Sequence, residues 1–386
     1  MVRVGGDAHE RESARVKIAI VATGGFDRSG TGRVIPCLLW LIERLAATGH
    51  DVHVFVPMQE DKPGTWPLLG ATIHNGGQGA WRVRMLTAIV REHARARFDV
   101  IHAFWAGMGE LAAVASKLLR LPMILTLPGG DMVSLREIGY GGRLTLRGRA
   151  QFRLATGAAA LTTVPSEFMR AQAAALGVDA ITVPLGADTG RLPPAPPRRR
   201  DLSAPLRLLH VASLNRVKDQ PTLLRALGIL KSEGVRFEMR IIGFDTLAGE
   251  IQRLASELGL DEDVRFLGVV DHGDLRAHYA WTDLLVMSSL HEAGPLVMLE
   301  AALAGVPTVG TSVGHIADHS PGAAVAVPIG DAAALAEAIR AIGGDEARRI
   351  SLAQAAQAFS LSHDADFTAR TFAALYIKVT SSKFRS

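Results

Sequence analysis

The chain has 386 residues, 48% of them hydrophobic and 21% charged, with a mean hydropathy of +0.20. At ~150 residues per domain this suggests two folded domains plus tails, and it excludes a disordered or fibrous protein. One cysteine, Cys37, excludes an internal disulfide, no apolar stretch reaches the ~20 residues of a membrane span, and the polar stretch from Met1 to Arg15 has no signal-peptide core.

A cytoplasmic location is therefore expected. The net charge of +4 is unevenly shared. Residues 1–200 carry 25 Lys and Arg against 16 Asp and Glu, a net of +9, whereas residues 201–386 carry 17 against 22, a net of −5. The basic half is expected to meet something anionic. On a helix predicted over 81–97, Arg91 and Arg95 each fall within ~20° of Arg84 at 100° per residue. Arg136, Arg143, Arg147, Arg149 and Arg153 add to the same charge. A solvated helix face explains this pattern. So does peripheral contact with an anionic membrane at its inner face, or with an anionic acceptor.

In chain order, the first predicted strand is 17–22, followed by a Gly-rich loop from Thr23 to Gly32 and a helix over about 33–48. A strand over 51–56 leads to a loop rich in Gly and Pro. The helix over 81–97 leads to a strand over 99–103, and a helix over 108–120 to a strand over 122–127. Further strands are expected at 159–164 and 180–183. The run Pro193-Pro194-Ala195-Pro196-Pro197-Arg198-Arg199-Arg200 admits neither helix nor inner strand and reads as a stiff linker. The alternation then restarts, with strands at 206–212, 237–242, 264–267, 284–287, 307–310 and 323–327. Helices are expected at 219–232, 248–259, 272–281, 296–304 and 331–342, with two more near 345–359 and 364–377. Such β-α alternation predicts parallel sheets covered on both faces. The expected organisation is a flexible tail over 1–14, a Rossmann-like domain over 15–192, a linker over 193–204 and a second Rossmann-like domain over 205–360. A C-terminal helix and tail over 361–386 packs back on the first domain. Ligands of two such sheets bind at the carboxyl ends of their strands, in a shared cleft.

The segment Ser288-Ser289-Leu290-His291-Glu292-Ala293-Gly294-Pro295-Leu296-Val297-Met298-Leu299-Glu300-Ala301 carries the strongest signal. It follows a buried strand, and Pro295 is expected at the first position of a helix. Glu292 then precedes the helix and Glu300 lies in its second turn. Side chains lean toward a helix N-terminus, so both carboxylates can approach one ligand there. The free N–H groups at that end, Leu296 and Val297 among them, and its positive dipole suit a diphosphate.

This segment resembles the signature of the retaining glycosyltransferases of family four, which have the GT-B fold. Two glutamates with seven residues between them match Glu292 and Glu300, and Glu300-Ala301-Ala302-Leu303-Ala304-Gly305-Val306-Pro307 resembles the run that follows in the family. The resemblance implies that Glu292 contacts the transferred sugar and is the catalytic residue, while Glu300 accepts from ribose hydroxyls. Ala293-Gly294-Pro295 departs from the usual Gly-Phe-Gly, so one backbone donor is missing at Pro295; Gly294, Leu296 and Val297 remain donor-site candidates.

In Ser213-Leu214-Asn215-Arg216-Val217-Lys218 the family places Arg and Lys five residues apart. Lys218 matches, Ser213 stands at the Arg position, and Arg216 is expected to substitute. Paired cations of this kind stabilise a leaving diphosphate. Ile241-Ile242-Gly243 and Val264-Arg265-Phe266-Leu267-Gly268 resemble family turns near the nucleotide, and add Gly243 and Leu267. In the first half the loop with Gly30-Thr31-Gly32 lacks a dinucleotide fingerprint. The resemblance instead sets Gly32 close to the donor phosphates and acceptor. His102 and Asp131 are expected at strand ends facing the cleft, with Pro128 standing where the family often has His.

Taken together, the resemblance implies a UDP- or GDP-sugar donor and a saccharide, lipid-linked or small-molecule acceptor. No metal or other cofactor is expected, and no nucleic acid. A sugar-nucleotide epimerase or phosphorylase on the same fold, or a non-catalytic nucleotide-sugar-binding protein, are the alternatives.

Overall fold

The computed structural model describes residues 15–381; the tail expected over 1–14 and the last five residues lie outside them. The first domain runs β1 (Lys17–Val21), α1 (Pro36–Ala47), β2 (Asp51–Val56), β3 (Gly64–Leu68), β4 (Ala71–Asn75), α2 (Trp81–Arg95), β5 (Val100–Phe104), α3 (Ala106–Leu119), β6 (Met123–Thr126), α4 (Leu146–Ala158), β7 (Leu161–Val164), α5 (Glu167–Ala175) and β8 (Ala180–Thr182). Its sheet has the order β3-β4-β2-β1-β5-β6-β7-β8. All neighbours are parallel except β3 on β4.

The second domain runs β9 (Leu206–Val211), α6 (Gln220–Ser232), β10 (Phe237–Ile242), α7 (Glu250–Glu257), β11 (Val264–Gly268), α8 (Leu275–Trp281), β12 (Leu284–Met287), α9 (Leu296–Leu303), β13 (Thr308–Thr311), α10 (Gly314–His319), β14 (Ala324–Val327), α11 (Ala332–Gly344) and α12 (Glu346–Ser362). Its parallel sheet has the order β11-β10-β9-β12-β13-β14. The strands are short, and β12 and β13, inside the sheet, are buried on both faces, as strands sandwiched between helices must be. The final helix, α13 (Ala365–Thr380), returns to the first domain. There Phe372, Tyr376 and Val379 join the apolar cluster of β1, β2 and α1.

Three differences from the sequence reading have physical causes. The Gly- and Pro-rich loop after β2 contains the hairpin β3–β4. Pro67 is tolerated because β3 is the edge strand, and Leu69 and Gly70, both at positive φ, make the tight turn. Pro295 is the residue before α9 rather than its first, with φ −66° and ψ 114°. The short helix α10 starts at Gly314 after an extended Val313 and gave no periodic signal in six residues.

Strand order reverses direction between β1 and β5 in the first sheet and between β9 and β12 in the second. At such switch points the loops diverge and leave a crevice. The loop after β1 lines a cavity with the residues after β11, and Tyr140, in the segment after β6, stands beside His291 in the loop after β12, so the two crevices open on one cleft.

Candidate active site

At the second switch point, the loop after β9 ends in a 3₁₀ turn, Arg216–Lys218, whose start is capped by the Asn215 side chain accepting from Lys218 N. The loop after β12 is stitched to it: Leu290 N donates to Val217 O at 2.8 Å and Ser288 Oγ to Lys218 O at 2.8 Å. This brings Lys218 Nζ to 2.6 Å from Glu292 Oε1, and Ser289 Oγ donates to the same oxygen at 2.7 Å. Glu292 is 9% exposed. Lys218 and Glu292, 74 residues apart, therefore form one unit at the cleft.

Arg216 does not join them. Its guanidinium pairs with Glu250 at 3.0 Å, on an open surface. A 3₁₀ helix turns ~120° per residue, so residues two apart project in different directions. Of the two cations expected to act together, only Lys218 stands beside Glu292 in this structure.

Glu300 lies in the second turn of α9, as expected, and is buried. His272 Nε2 donates to its Oε1 and Tyr279 Oη to its Oε2, each at 2.7 Å. The Glu300 hydrogen bond, outweighing burial, holds the His272 pKa above the ordinary imidazole value. The ring of His272 stands 5.6 Å from that of Trp40, which brings α1 of the first domain over this carboxylate. Between them is a cavity of about 650 Å³ that Gly30, Thr31, Trp40 and His272 help line. Gly32, in the same loop, is exposed and packs toward Asp27.

Gly243 ends β10 at φ +152°, where a Cβ would meet Ala212 O at 2.0 Å. It lines a cavity of about 270 Å³ with Phe244, Phe266 and Gly268; Leu267, 37% exposed, points elsewhere along β11. The Leu296 and Val297 N–H groups take no hydrogen bond among the described residues. Gly294 serves a close approach instead: a Cβ would lie 2.8 Å from His315 Nε2 and 3.0 Å from Pro165 of the first domain.

The domains touch at this point. Ser166 Oγ donates to Ala293 O, and the Asp318 carboxylate accepts from Glu167 N at 2.8 Å and Phe168 N at 2.7 Å, capping α5 from across the cleft.

In the first domain, Asp131 lies in the turn that follows β6 and is buried. Its Oδ1 accepts from Ala106 N at 2.8 Å, tying down the start of α3, while Oδ2 is buried without a partner. Burial pushes its pKa up to about 6. Trp105, just before α3, is held at φ +66°, a conformation costing about 1–3 kcal/mol for such a residue. The expectation for His102 is corrected. It lies inside β5, fully buried, with Nδ1 at 2.7 Å from Tyr376 Oη and Nε2 at 2.7 Å from Thr126 Oγ1. Burial lowers its pKa to about 3, so it is a neutral core histidine that ties α13 to the sheet. Alternation along a strand buried on both faces carries no sign of which residues reach the cleft.

Sequence reasoning passed over Tyr140, His272, Tyr279, His291 and Asp318. His291 adjoins Glu292 and Tyr140 sits between two glycines, signals that point to a constrained position. The others are set by tertiary contact alone.

Asp131 supports a stability prediction. Its folded pKa of about 6 lies above its ordinary 3.8, so ionisation is disfavoured in the native state. Stability falls as pH rises from about 4 to 6, and the loss is complete above that. Asp131→Asn keeps the bond to Ala106 N and removes the charge. Near pH 4 its melting temperature is expected to match the wild type; at pH 7.5 the variant is more stable by about 3 kcal/mol. A constant difference across this pH range would refute the shift.

Two Rossmann-like domains facing across a cleft, with a carboxylate–ammonium unit at the switch point, define a GT-B fold. Residues 37–191 match the model of Glycosyltransferase Family 4 and residues 205–345 that of Glycosyl transferases group 1. The chain belongs to the group 1 glycosyltransferases of family four.

Similar proteins span its length. The D-inositol 3-phosphate glycosyltransferase of Pseudarthrobacter chlorophenolicus is 26% identical, over 89% of this chain and 90% of its own. Among solved structures, sucrose-phosphate synthase from Thermosynechococcus elongatus superposes with a TM-score of 0.79 at 19% identity, covering 94% of this chain and 99% of that one. Anabaena HepE, in complex with UDP-glucose, gives 0.72 at 18% identity, covering 94% and 100%. No described helix is long and apolar enough to cross a membrane.

Proposed function

We propose that this glycosyltransferase moves a sugar, with retention, from a UDP- or GDP-sugar to a saccharide, lipid-linked or small-molecule acceptor. The observation that carries the reading is the Lys218–Glu292 pair at the β9/β12 switch point, beside the unbonded N–H groups that open α9. Lys218 supplies positive charge to the departing diphosphate, and the α9 N-terminus adds to it. Glu292 stabilises positive charge developing on the sugar. The solved complexes of HepE with UDP and with UDP-glucose support a nucleotide-sugar donor. We assign the donor to residues 205–360 and the acceptor to residues 15–192, with closure excluding water. The deciding experiment incubates the protein with UDP- and GDP-sugars and candidate acceptors, and reads the anomeric configuration by NMR. An inverted product refutes retention. A free epimerised sugar nucleotide, or a phosphate requirement, refutes transfer.

Glu300 accepts the ribose hydroxyls in this reading. Each carboxylate oxygen already takes one hydrogen bond and has a second lone pair to offer. Glu300→Gln turns one acceptor oxygen into a donor and sets it against Tyr279 or His272. UDP or GDP affinity is expected to fall about tenfold by calorimetry, in line with one charge-assisted bond. Unchanged affinity removes Glu300 from the donor site.

We further propose that transfer needs no divalent metal, because Lys218 and the helix N-terminus supply the positive charge. Activity is expected to persist in excess EDTA; complete loss that Mg²⁺ or Mn²⁺ restores contradicts this. The membrane reading is narrowed by structure. Arg84 is spent on the carbonyl oxygens of Gly76, Gly77 and Gln78, and Arg95 pairs with Glu92. What remains on α2, α3 and α4 is a mixed surface: Val83, Val114, Leu118 and Leu146 are exposed among Arg82, Lys117 and Arg147. It is the proposed site of peripheral contact with anionic lipid.

A further inference from the structure

The cleft wall around Glu292 holds polar groups that the donor assignment leaves unused. Tyr140 stands on a turn closed by a bridge to Leu135. The turn has one conformation open to it: Gly141 has φ +122°, and a Cβ there would lie 2.2 Å from the Val133 carbonyl oxygen. This sets the phenol against Gly130, where a Cβ would come within 2.7 Å of its oxygen. No hydrogen bond of that hydroxyl is found among the described residues. His291 arrives from the other domain, with its ring centroid 6.1 Å from that of Tyr140. It is 4% exposed, and its Nε2 is buried with no partner among the described residues. Asp131 Oδ2 is buried and unpartnered as well.

Unpaired buried polar atoms are costly, and native proteins keep few without a reason. Here one comes from each domain, and Tyr140 lies near both of them and near Glu292. Their protonation states are complementary. Burial first, then Glu292 and Asp131, push the Tyr140 pKa up to about 12, so the phenol keeps its proton and donates. Burial lowers the His291 pKa, while a hydrogen bond with the Gly129 backbone opposes this. The ring is thus neutral, and with its proton on the other nitrogen, toward Gly129, Nε2 is an acceptor. A donor and an acceptor side by side fit a ligand rich in hydroxyls. The charges of Asp131 and Glu292 disfavour a further carboxylate, and the nearby Lys218 is already paired.

We propose that Tyr140 and His291, one from each domain, read the transferred sugar through its hydroxyl groups, and that they select an uncharged hexose and reject a uronic acid. This rests on the donor site being built around Glu292 and Lys218. Because each domain supplies one of the two residues, binding to both also couples sugar recognition to the contact between the domains.

Calorimetry with UDP, GDP and ADP, their neutral hexose conjugates and UDP-glucuronate tests the proposal on the wild type, Tyr140→Phe and His291→Leu. The wild type is expected to bind at least one neutral conjugate about tenfold more tightly than its bare diphosphate, and to gain nothing from glucuronate. Each variant is expected to lose most of that tenfold gain while keeping the affinity for the bare diphosphate. The proposal is overturned by variants that retain the gain, by equal losses on conjugate and bare diphosphate, or by tighter binding of the glucuronate. If no diphosphate binds the wild type, the donor reading itself fails, and this inference fails with it.

Discussion

Replacing Glu292 by Gln is expected to lower kcat by on the order of 100-fold while leaving UDP or GDP affinity nearly unchanged. The geometry argues for this split. Oε1 is held by Lys218 and Ser289, so the head group is fixed before any ligand arrives. Oε2 has no hydrogen-bond partner among the described residues and is not sealed from solvent, so it is free to face a substrate. Glycosyl transfer builds positive charge at the anomeric carbon, and a fixed carboxylate stabilises that charge without reorganising. Glutamine is nearly isosteric and its oxygen can still accept from Lys218 and Ser289. The fold and the diphosphate contacts therefore survive, and only the charge is lost. Steady-state kinetics with calorimetry on the same preparations decides it. Wild-type turnover in the variant takes Glu292 out of the chemistry; a loss confined to KM makes it a binding residue.

The fold was legible in the sequence because its strands are short apolar runs spaced by helix-length segments, and both sheets are parallel. The exception, β3–β4, is antiparallel and at an edge, where Pro67 and the Leu69-Gly70 turn conceal a strand behind loop residues. The site was legible where local order sets it. Glu292 and Glu300 flank the start of one helix, and their separation follows from helix geometry. It was not legible where the partner lies far along the chain. Nothing in a strand pattern tells that His102 meets Tyr376, 274 residues away, rather than the cleft. The same holds for His272 and Tyr279 on Glu300, which depend on how β11 and α8 pack beside α9.

Arg216 is the instructive case. It lies two residues from Lys218, and the resemblance made it a candidate because Ser213 stands at the family's Arg position. The 3₁₀ turn between them separates their directions, and Glu250 offers Arg216 an exposed partner instead. Proximity along the chain was therefore a poor guide to which side chains share a partner, whereas the 74 residues between Lys218 and Glu292 proved no obstacle.

Lys218→Ala is accordingly expected to reduce kcat/KM by about 10-fold to 100-fold, and Arg216→Ala to leave it within about twofold. Lys218 is the one cation of the pair that faces the cleft, and a charge-assisted bond to a diphosphate contributes roughly 1.5–3 kcal/mol. Its removal also leaves Glu292 without its counter-charge in a largely buried position, which adds a cost to stability. The two effects are separable. Lys218→Ala combined with Glu292→Gln removes the unpaired charge, so thermal stability is expected to recover while activity stays low. In a double-mutant cycle on kcat/KM, the losses at 218 and 292 are expected to be less than additive, because each residue positions the other. Arg216→Ala breaks only an exposed ion pair with Glu250, of the kind that contributes little. Kinetics of the four variants at fixed ionic strength, with UDP and GDP affinities by calorimetry, test all of this. A loss in Arg216→Ala matching that in Lys218→Ala would mean that donor binding draws the guanidinium away from Glu250 and into the cleft, and that the clamp has two cations after all.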